Sequence, residues 1–479
     1  MTAVPPLLDA AMLRAAGRVP PVPFRIALAD GEAEGELVVR RVLRVLPGRR
    51  IVGEAERHGR RLLAKLFFDA RSERYWQREH AGVKALAAAG IPTPRLEAAH
   101  GLGGGGHVVL TEFLDDAETV LDAWRQFDGR PPGDHAAMAL LVPMFELLGR
   151  LHGAGLSHGD LHLDNFLRHN TRLYLIDAGS VRAHGAGPLP EQAAARDLAM
   201  LLAQLPRTWD AAVAPLLDAY RAASLRPLSD AALRRALVEA RAWRLRDFLS
   251  KTVRDCSLFK VVRRFDRFTA VLRSDADAFE LLLADPDRWM ETGTVLKRGN
   301  TCTVCRVRLG DRELVIKRYN LKSLRHALSR VWRPSRGWHS WREGHRLALY
   351  GIATPTPLAL VEERKGPLRG RAWLITEYCG GADLLGHLDP SVPPPPVIAA
   401  ALRTLFATLH RVRISHGDLK ATNLLWDGRE IKLIDLDAMC QHRSAAGHAR
   451  AWRRDRLRLL RNWPAGSELH RWLDGVLPP

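Results

Sequence analysis

The sequence predicts an α+β protein of two tandem domains, each with a β-rich first half and a helical second half. Three observations carry this. The pattern Leu-His-(x)5-His-Gly-Asp-Leu-(x)4-Asn, followed twelve residues later by Asp, occurs at 151–177 and again at 409–435, every position displaced by 258 residues. So long a period means that a whole domain is duplicated. Each copy is preceded by turn-punctuated, strand-like sequence and followed by helix-forming sequence. The 479 residues, 47% hydrophobic and 26% charged, suffice for two or three globular domains with cores of their own.

The expected order is a lead-in at 1–20, a first domain at 21–245, a helical connector at 246–290 and a second domain at 291–479. The lead-in, rich in Ala and Pro, reads as loosely ordered. Strands are expected through 24–68, with turns at Asp30-Gly31, Pro47-Gly48 and His58-Gly59. The last, Arg61-Leu-Leu-Ala-Lys65-Leu-Phe-Phe, sets one Lys in an apolar run, which is costly without an anionic partner. Glu79, on a helix expected at about 71–89, is placed to pair with it. After Gly90-Ile-Pro-Thr-Pro94 come two strands joined by a glycine run at 101–106. No helix opens after that run, so it reads as a hairpin turn and not as a phosphate cradle. The strand ending Leu110-Thr-Glu112-Phe leads to a helix near 138–152.

The second copy repeats the plan. Val295-Leu-Lys-Arg-Gly299-Asn-Thr-Cys-Thr-Val304 is a turn between strands ahead of Leu314-Val-Ile-Lys317. There, backbone N–H groups can approach phosphates. Basic helical sequence follows at 322–349, then Gly351-Ile-Ala-Thr-Pro355, and Trp373-Leu-Ile-Thr-Glu377-Tyr mirrors the Glu112 strand. A stiff connector at 393–396 precedes a helix at 397–411. Past the motif, Arg454-Asp455 echoes Arg196-Asp197 at the same offset.

The motif's residue types point to phosphoryl transfer. Asn165 with Asp177, and Asn423 with Asp435, offer two hard oxygen donors for Mg²⁺. Asp160 and Asp418 are left to receive a proton from an attacking hydroxyl. A short apolar strand, at 173–176 or 431–434, delivers the later Asp, the layout of a kinase catalytic loop and its metal-binding aspartate. A domain that keeps this loop only as scaffold is the competing reading.

Composition narrows the partners. The formal charge is +19 with pI near 10.4, and of 72 Lys and Arg only ten are Lys. Arg presents a fork suited to phosphate and carboxylate. The arginines are spread over both halves, so the charge favours acidic partners (nucleic acid, anionic lipid, a phosphorylated sugar) without choosing one. No apolar run reaches membrane-spanning length, and the first residues lack the pattern of a signal peptide. Five cysteines fit a reducing compartment, so the cytoplasm is expected. Cys302 and Cys305 read as two thiols on a strand, and His152 and His410 as helix-end groups bonding carbonyls of the catalytic loop.

With these residues in place, the chain resembles the bacterial lipopolysaccharide kinases, the Kdo and heptose kinases of the core region, within the protein-kinase-like superfamily. The likeness rests in the first half on Gly48-Arg-Arg-Ile, Gly59-Arg-Arg-Leu-Leu-Ala-Lys65, Glu79, Gly90-Ile-Pro-Thr-Pro94 and His158-Gly-Asp-Leu. In the second it rests on Leu296 to Val304, Val315-Ile-Lys317-Arg-Tyr-Asn, Ser340-Trp-Arg-Glu-Gly-His-Arg, His416-Gly-Asp-Leu-Lys and Leu433-Ile-Asp-Leu-Asp437. The resemblance implies two protein-kinase-like domains, each with a β-rich N-lobe and a helical C-lobe. It implies that Lys65 and Lys317 hold ATP phosphates, that Asp160 and Asp418 are catalytic, and that Asn165, Asp177, Asn423 and Asp435 hold Mg²⁺. Glu79, Glu112, Gly299, Val304, Glu343 and Glu377 complete the nucleotide sites. Lys420, two residues past Asp418, takes the place of a phosphate-contacting Lys, where the first copy has His162.

The departures are informative. Counted back from the Ile-x-Thr-Pro element, the place of Glu79 falls on Ser340, leaving Glu343, three residues on, as candidate partner of Lys317. Gly stands where protein kinases have Arg before the catalytic Asp, and no Ala-Pro-Glu segment follows Asp435, against peptide substrates. The implied reaction is ATP- and Mg²⁺-dependent phosphorylation of a sugar hydroxyl in lipopolysaccharide core. The acceptor is an anionic glycolipid, met by peripheral contact with the inner face of the inner membrane, and no specific nucleic acid is expected. The rivals are an aminoglycoside- or choline-type phosphotransferase, a RIO-like protein kinase, and a nucleotide-binding scaffold in envelope assembly.

Overall fold

Alternate burial along Arg50–Arg57 and Arg60–Phe67, with Ile51, Ala55, Leu62, Ala64 and Leu66 inside, marks a sheet with one face against a core. The computed structural model describes residues 4–29, 36–224, 226–320, 334–366 and 368–478. It divides into two units, Met1–Ala242 and Trp243–Pro479. In the first, seven strands lie in the order Leu7–Leu8, Phe24–Ala27, Glu36–Leu46, Arg50–Arg57, Arg60–Phe67, His107–Glu112, Leu96–Gly101. All neighbours are antiparallel except the first pair.

The lead-in is not loosely ordered where it is described. Leu7–Leu8 is a strand of that sheet, and the helix Ala10–Ala15, capped by Asp9, buries Ala10 and Leu13 in the sheet's core. Arg14 Nε donates to the Phe68 carbonyl (2.8 Å), tying the segment to the end of the lysine strand.

The helical half of this unit is organised around His135–Gly153, which buries Leu141, Met144, Phe145, Leu148 and Leu151. Contrary to the sequence expectation, this helix is long and apolar enough to cross a membrane. Here the helix packs against Val213–Ser224 and shares one core with side chains of Ser72–Ala88 and Glu191–Leu202.

The second unit also carries a seven-stranded sheet: Phe259–Arg263, Arg267–Leu272, Pro357–Lys365, Leu368–Glu377, Arg312–Tyr319, Cys302–Leu309, Thr294–Arg298, all antiparallel. This corrects the helical connector expected at 246–290. Phe259, Phe268 and Ala270 pack with Trp341 and Leu360, and that burial makes 259–272 a hairpin of the sheet. Five strands keep the same order in both sheets. The added pair covers the edge beside Glu36–Leu46 in one and beside Pro357–Lys365 in the other, so each protects a different exposed ladder. The helices Pro396–Arg411, Ala445–Leu460 and Glu468–Val476 belong to the helical half of this unit. The turn expected at Asp30-Gly31 and the part of the expected helix at 322–333 lie outside the described residues. What is described of that helix is Arg336–Leu349.

Candidate functional site

In the first unit Lys65 stands mid-strand, opposite Val52, and its ammonium meets two carboxylates. One is Glu79, in direct contact; the other is Asp177 at 3.3 Å. Glu79 is 4% exposed, so its charge is tolerated only because Lys65 and the Gly179 N–H (3.0 Å) both bond it. Its helix reaches the Asp177 turn because residue 82 is Gly. A Cβ there would lie 1.9 Å from the Ala178 carbonyl oxygen.

Asp177 adopts φ +61°, a left-handed conformation unusual for a residue with a side chain, at the point where its carboxylate turns toward the lysine. Burial penalises its charged form, but Lys65 and Arg50 (3.7 Å) outweigh that and hold its carboxyl below the usual range. The Ile176 N–H donates to the Asn165 carbonyl (2.9 Å), which sets Asn165 beside Asp177. Asn165 in turn donates its Nδ2 to the Asp160 carbonyl (2.7 Å), leaving its amide oxygen as an acceptor. The Asp160 carboxylate is about half exposed and bonded to His162 Nε2 (3.0 Å), the main cause of its lowered pKa.

A cavity of about 440 Å³ opens beside Lys65 and Asp177. Lys65, Glu79, Asn165 and Asp177 form one wall, Thr111 and Glu112 sit at the end of a neighbouring strand, and Val52, Leu63 and Leu167 supply apolar surface. Arg41, Arg44 and Arg50 line it from the strands that precede the lysine.

The second unit rebuilds the arrangement with one change. Lys317, opposite Val304, donates to Asp435 (2.6 Å) and to Asp437 (2.9 Å). Burial works against its ammonium, yet Tyr319, Asp437 and Asp435 push its pKa above the ordinary value. Asp435 takes φ +60°, Ile434 N–H donates to the Asn423 carbonyl (3.0 Å), and Asn423 Nδ2 donates to the Asp418 carbonyl (2.9 Å). The Asp418 carboxylate is held by Lys420 (3.1 Å) and by Arg458 Nη1 (2.6 Å). Gly299 closes the turn between Thr294–Arg298 and Cys302–Leu309 through its N–H to the Cys302 carbonyl (3.0 Å). Glu377 ends its strand half-exposed, 3.7 Å from Arg312.

Glu343 is therefore not the partner of Lys317. It is buried and bonded to Arg346 (2.7 Å), one helical turn away, because that guanidinium is the nearer cation. His152 does not reach the catalytic loop either; its ring bonds Tyr220 (3.0 Å) and Asp197 (3.3 Å), and His410 packs against His448 and Trp452. The histidines of His-Gly-Asp-Leu bond the carbonyls just before the later aspartates, His158 that of Ile176 (3.3 Å) and His416 that of Ile434 (2.9 Å). Cys302 and Cys305 are buried thiols on one strand.

Sequence reasoning missed four contributors: Asp437, Arg458, and the buried pair Asp197 and Asp455. Asp455 Oδ2 accepts from the N–H groups of His416 (2.6 Å) and Gly417 (3.1 Å), and Asp197 Oδ2 from that of His158 (2.6 Å). The repeated Arg-Asp pair was their signal. Arg458 and Asp437 have no counterparts at the 258-residue offset, where Met200 and Gly179 stand.

Two oxygen donors per site suit a divalent cation that takes its remaining ligands from phosphates and water. Among the described residues no group of three or more His, Cys, Asp or Glu forms a protein-only cage. The donor set thus fits Mg²⁺ bound together with a nucleotide.

Comparison with known proteins gives three findings. The model of the lipopolysaccharide kinase (Kdo/WaaP) family matches residues 56–220 and 282–468, well over half of the chain. Over 73 residues the chain is 38% identical to a probable bifunctional tRNA threonylcarbamoyladenosine biosynthesis protein of Methanosarcina barkeri (strain Fusaro / DSM 804). That match covers 15% of this chain and spans 13% of the relative's length. The solved structure of WaaP in complex with acyl carrier protein is 26% identical, with a TM-score of 0.32, and overlaps 43% of this chain and 86% of that one.

Proposed function

Because the chain belongs to the lipopolysaccharide kinase (Kdo/WaaP) family, we propose that two tandem protein-kinase-like domains transfer the γ-phosphoryl group of Mg·ATP to a sugar hydroxyl of lipopolysaccharide core. The observation that carries this is the constellation formed twice: a buried Lys bonded to an Asp in the left-handed conformation, with an Asn tied to the catalytic Asp. In the reaction the γ-phosphorus bond to ADP breaks and a bond to the sugar oxygen forms. The hydroxyl proton passes to the Asp160 or Asp418 carboxylate. Lys65 and Lys317 bind and orient the α- and β-phosphates. Asn165 with Asp177, and Asn423 with Asp435, hold Mg²⁺, which supplies neutralisation of charge on the phosphate oxygens. Lys420 meets the transferred group, a role supported by its position 3.1 Å from Asp418.

The acceptor is an anionic glycolipid at the cytoplasmic face of the inner membrane, and the formal charge of +19 supports attraction to anionic head groups there. The test incubates labelled ATP and purified core with wild type, Asp160→Ala, Asp418→Ala and the double variant. Transfer by wild type and none by the double variant is expected. Undiminished transfer by the double variant refutes the reading, and transfer to choline or an aminoglycoside but not to core reassigns the acceptor.

A further inference from the structure

The two units anchor their lysines with carboxylates from different places in the chain. In the first, Glu79 on the helix Ser72–Ala88 holds Lys65, and residue 179 is Gly. A Cβ on Gly179 would lie 2.8 Å from Glu79 Oε2, so the glutamate occupies the space that a side chain at 179 would need. In the second unit the helical position is Ser340, too short to reach Lys317, and the residue 258 beyond Gly179 is Asp437. Its carboxylate takes Lys317 (2.9 Å), Ser340 Oγ (2.8 Å) and Tyr319 Oη (2.8 Å), and Arg336 bonds its other oxygen. A large acid facing Gly has become a small donor facing a short acid. The exchange is reciprocal, and it leaves each lysine with two carboxylates.

We propose that Asp437 is the residue that positions the phosphate-binding Lys317, in the role Glu79 has for Lys65. This rests on the kinase reading of the second unit. Asp437 lies two residues after Asp435, so both partners of Lys317 belong to the metal-binding turn. The helix Arg336–Leu349 acts one step back, by fixing Asp437 through Arg336 and Ser340. The lysine of the first unit depends directly on its helix; that of the second depends on the turn.

The test uses the full chain with the first site silenced by Lys65→Met and Asp177→Ala, and reads Mg·ATP affinity by titration calorimetry beside melting temperature and kcat/KM. Hydrogen bonds to charged groups are strong enough that Asp437→Gly should weaken Mg·ATP binding about tenfold or more, and Asp437→Asn nearly as much. Ser340→Glu combined with Asp437→Gly, which copies the first unit, should recover affinity to within about threefold. A merely structural role would not be rescued by moving the acid to the helix. If Asp437→Asn binds as the parent does while Lys317→Met does not, the inference is overturned and the kinase reading stands. If the exchange variant folds with the parent's melting temperature and recovers nothing, the inference is again overturned. If the parent with an intact second site binds no Mg·ATP, the kinase reading of that unit fails and takes the inference with it.

Discussion

Replacing Asp455 should cost stability first and activity second, by an amount the geometry sets. Its carboxylate is 2% exposed, and one oxygen, Oδ2, accepts the N–H groups of both His416 and Gly417. Asp455→Ala strands both donors in the interior, at about 1–3 kcal/mol each, or about 2–6 kcal/mol together. In a unit of this length each kcal/mol lowers Tm by about 2–4 °C, so its transition should fall by at least about 4 °C. Asp455→Asn is the discriminating variant. An amide oxygen in the place of Oδ2 keeps both bonds and loses only their charge assistance, which roughly halves them, so its fall should be near half that of Asp455→Ala. Asp197→Ala strands the His158 N–H and the His152 ring nitrogen that share its oxygen, and should lower the transition of the first unit. Scanning calorimetry on the three variants reads all of this, and Asp197→Ala identifies which transition belongs to which unit. Equal losses for Asp455→Asn and Asp455→Ala, or a fall under about 2 °C for the latter, refute the idea that this oxygen holds the catalytic loop.

Four further outcomes are expected. Saturating Mg·ATP at about 100 times Kd adds about 2.7 kcal/mol to stability; thermal shift should show this with Mg²⁺ present and lose it in Asp177→Ala/Asp435→Ala. Single replacement of Asp160 or Asp418 should lower its own unit's transfer rate by about 10²–10⁴, and steady-state assays with the other site silenced decide how the work is divided. The hydrogen bond from His162 stabilises ionised Asp160 and lowers its pKa. His162→Ala should therefore raise that pKa and move the acid limb of the first unit's kcat/KM profile to higher pH; an unmoved limb shows that Asp160 is not the group titrating. Binding to anionic vesicles should weaken as salt rises, because surface attraction is screened beyond about 8 Å at physiological ionic strength; co-sedimentation across a salt series checks it.

Legibility followed distance along the chain. The catalytic loop could be read because its members are local. Asn165 reaches the Asp160 carbonyl across five residues and Asn423 reaches that of Asp418 across the same five, so spacing in sequence is already geometry. The Lys65–Glu79 pair, fourteen residues apart, was readable because a charge in an apolar strand demands a partner and the next helix supplies one. The duplication needed no structure at all, since identical offsets along the chain are visible without it.

Other features depended on how separate segments pack. Lys317 lies 118 residues from Asp435 and 120 from Asp437, and Arg458 lies 40 from Asp418. No periodicity links such residues; the count from the first copy fell on Ser340, and Glu343, the nearest acid three residues on, is bonded to Arg346. The hairpin at 259–272 was likewise hidden, because the neighbouring sequence is helical and only the edge strand Pro357–Lys365 gives it a ladder to join. Local spacing pointed to the residues proposed to carry the chemistry. Which acid holds each lysine was decided by packing, since a buried ammonium takes the carboxylate that tertiary contacts bring within bonding distance, wherever in the chain it originates.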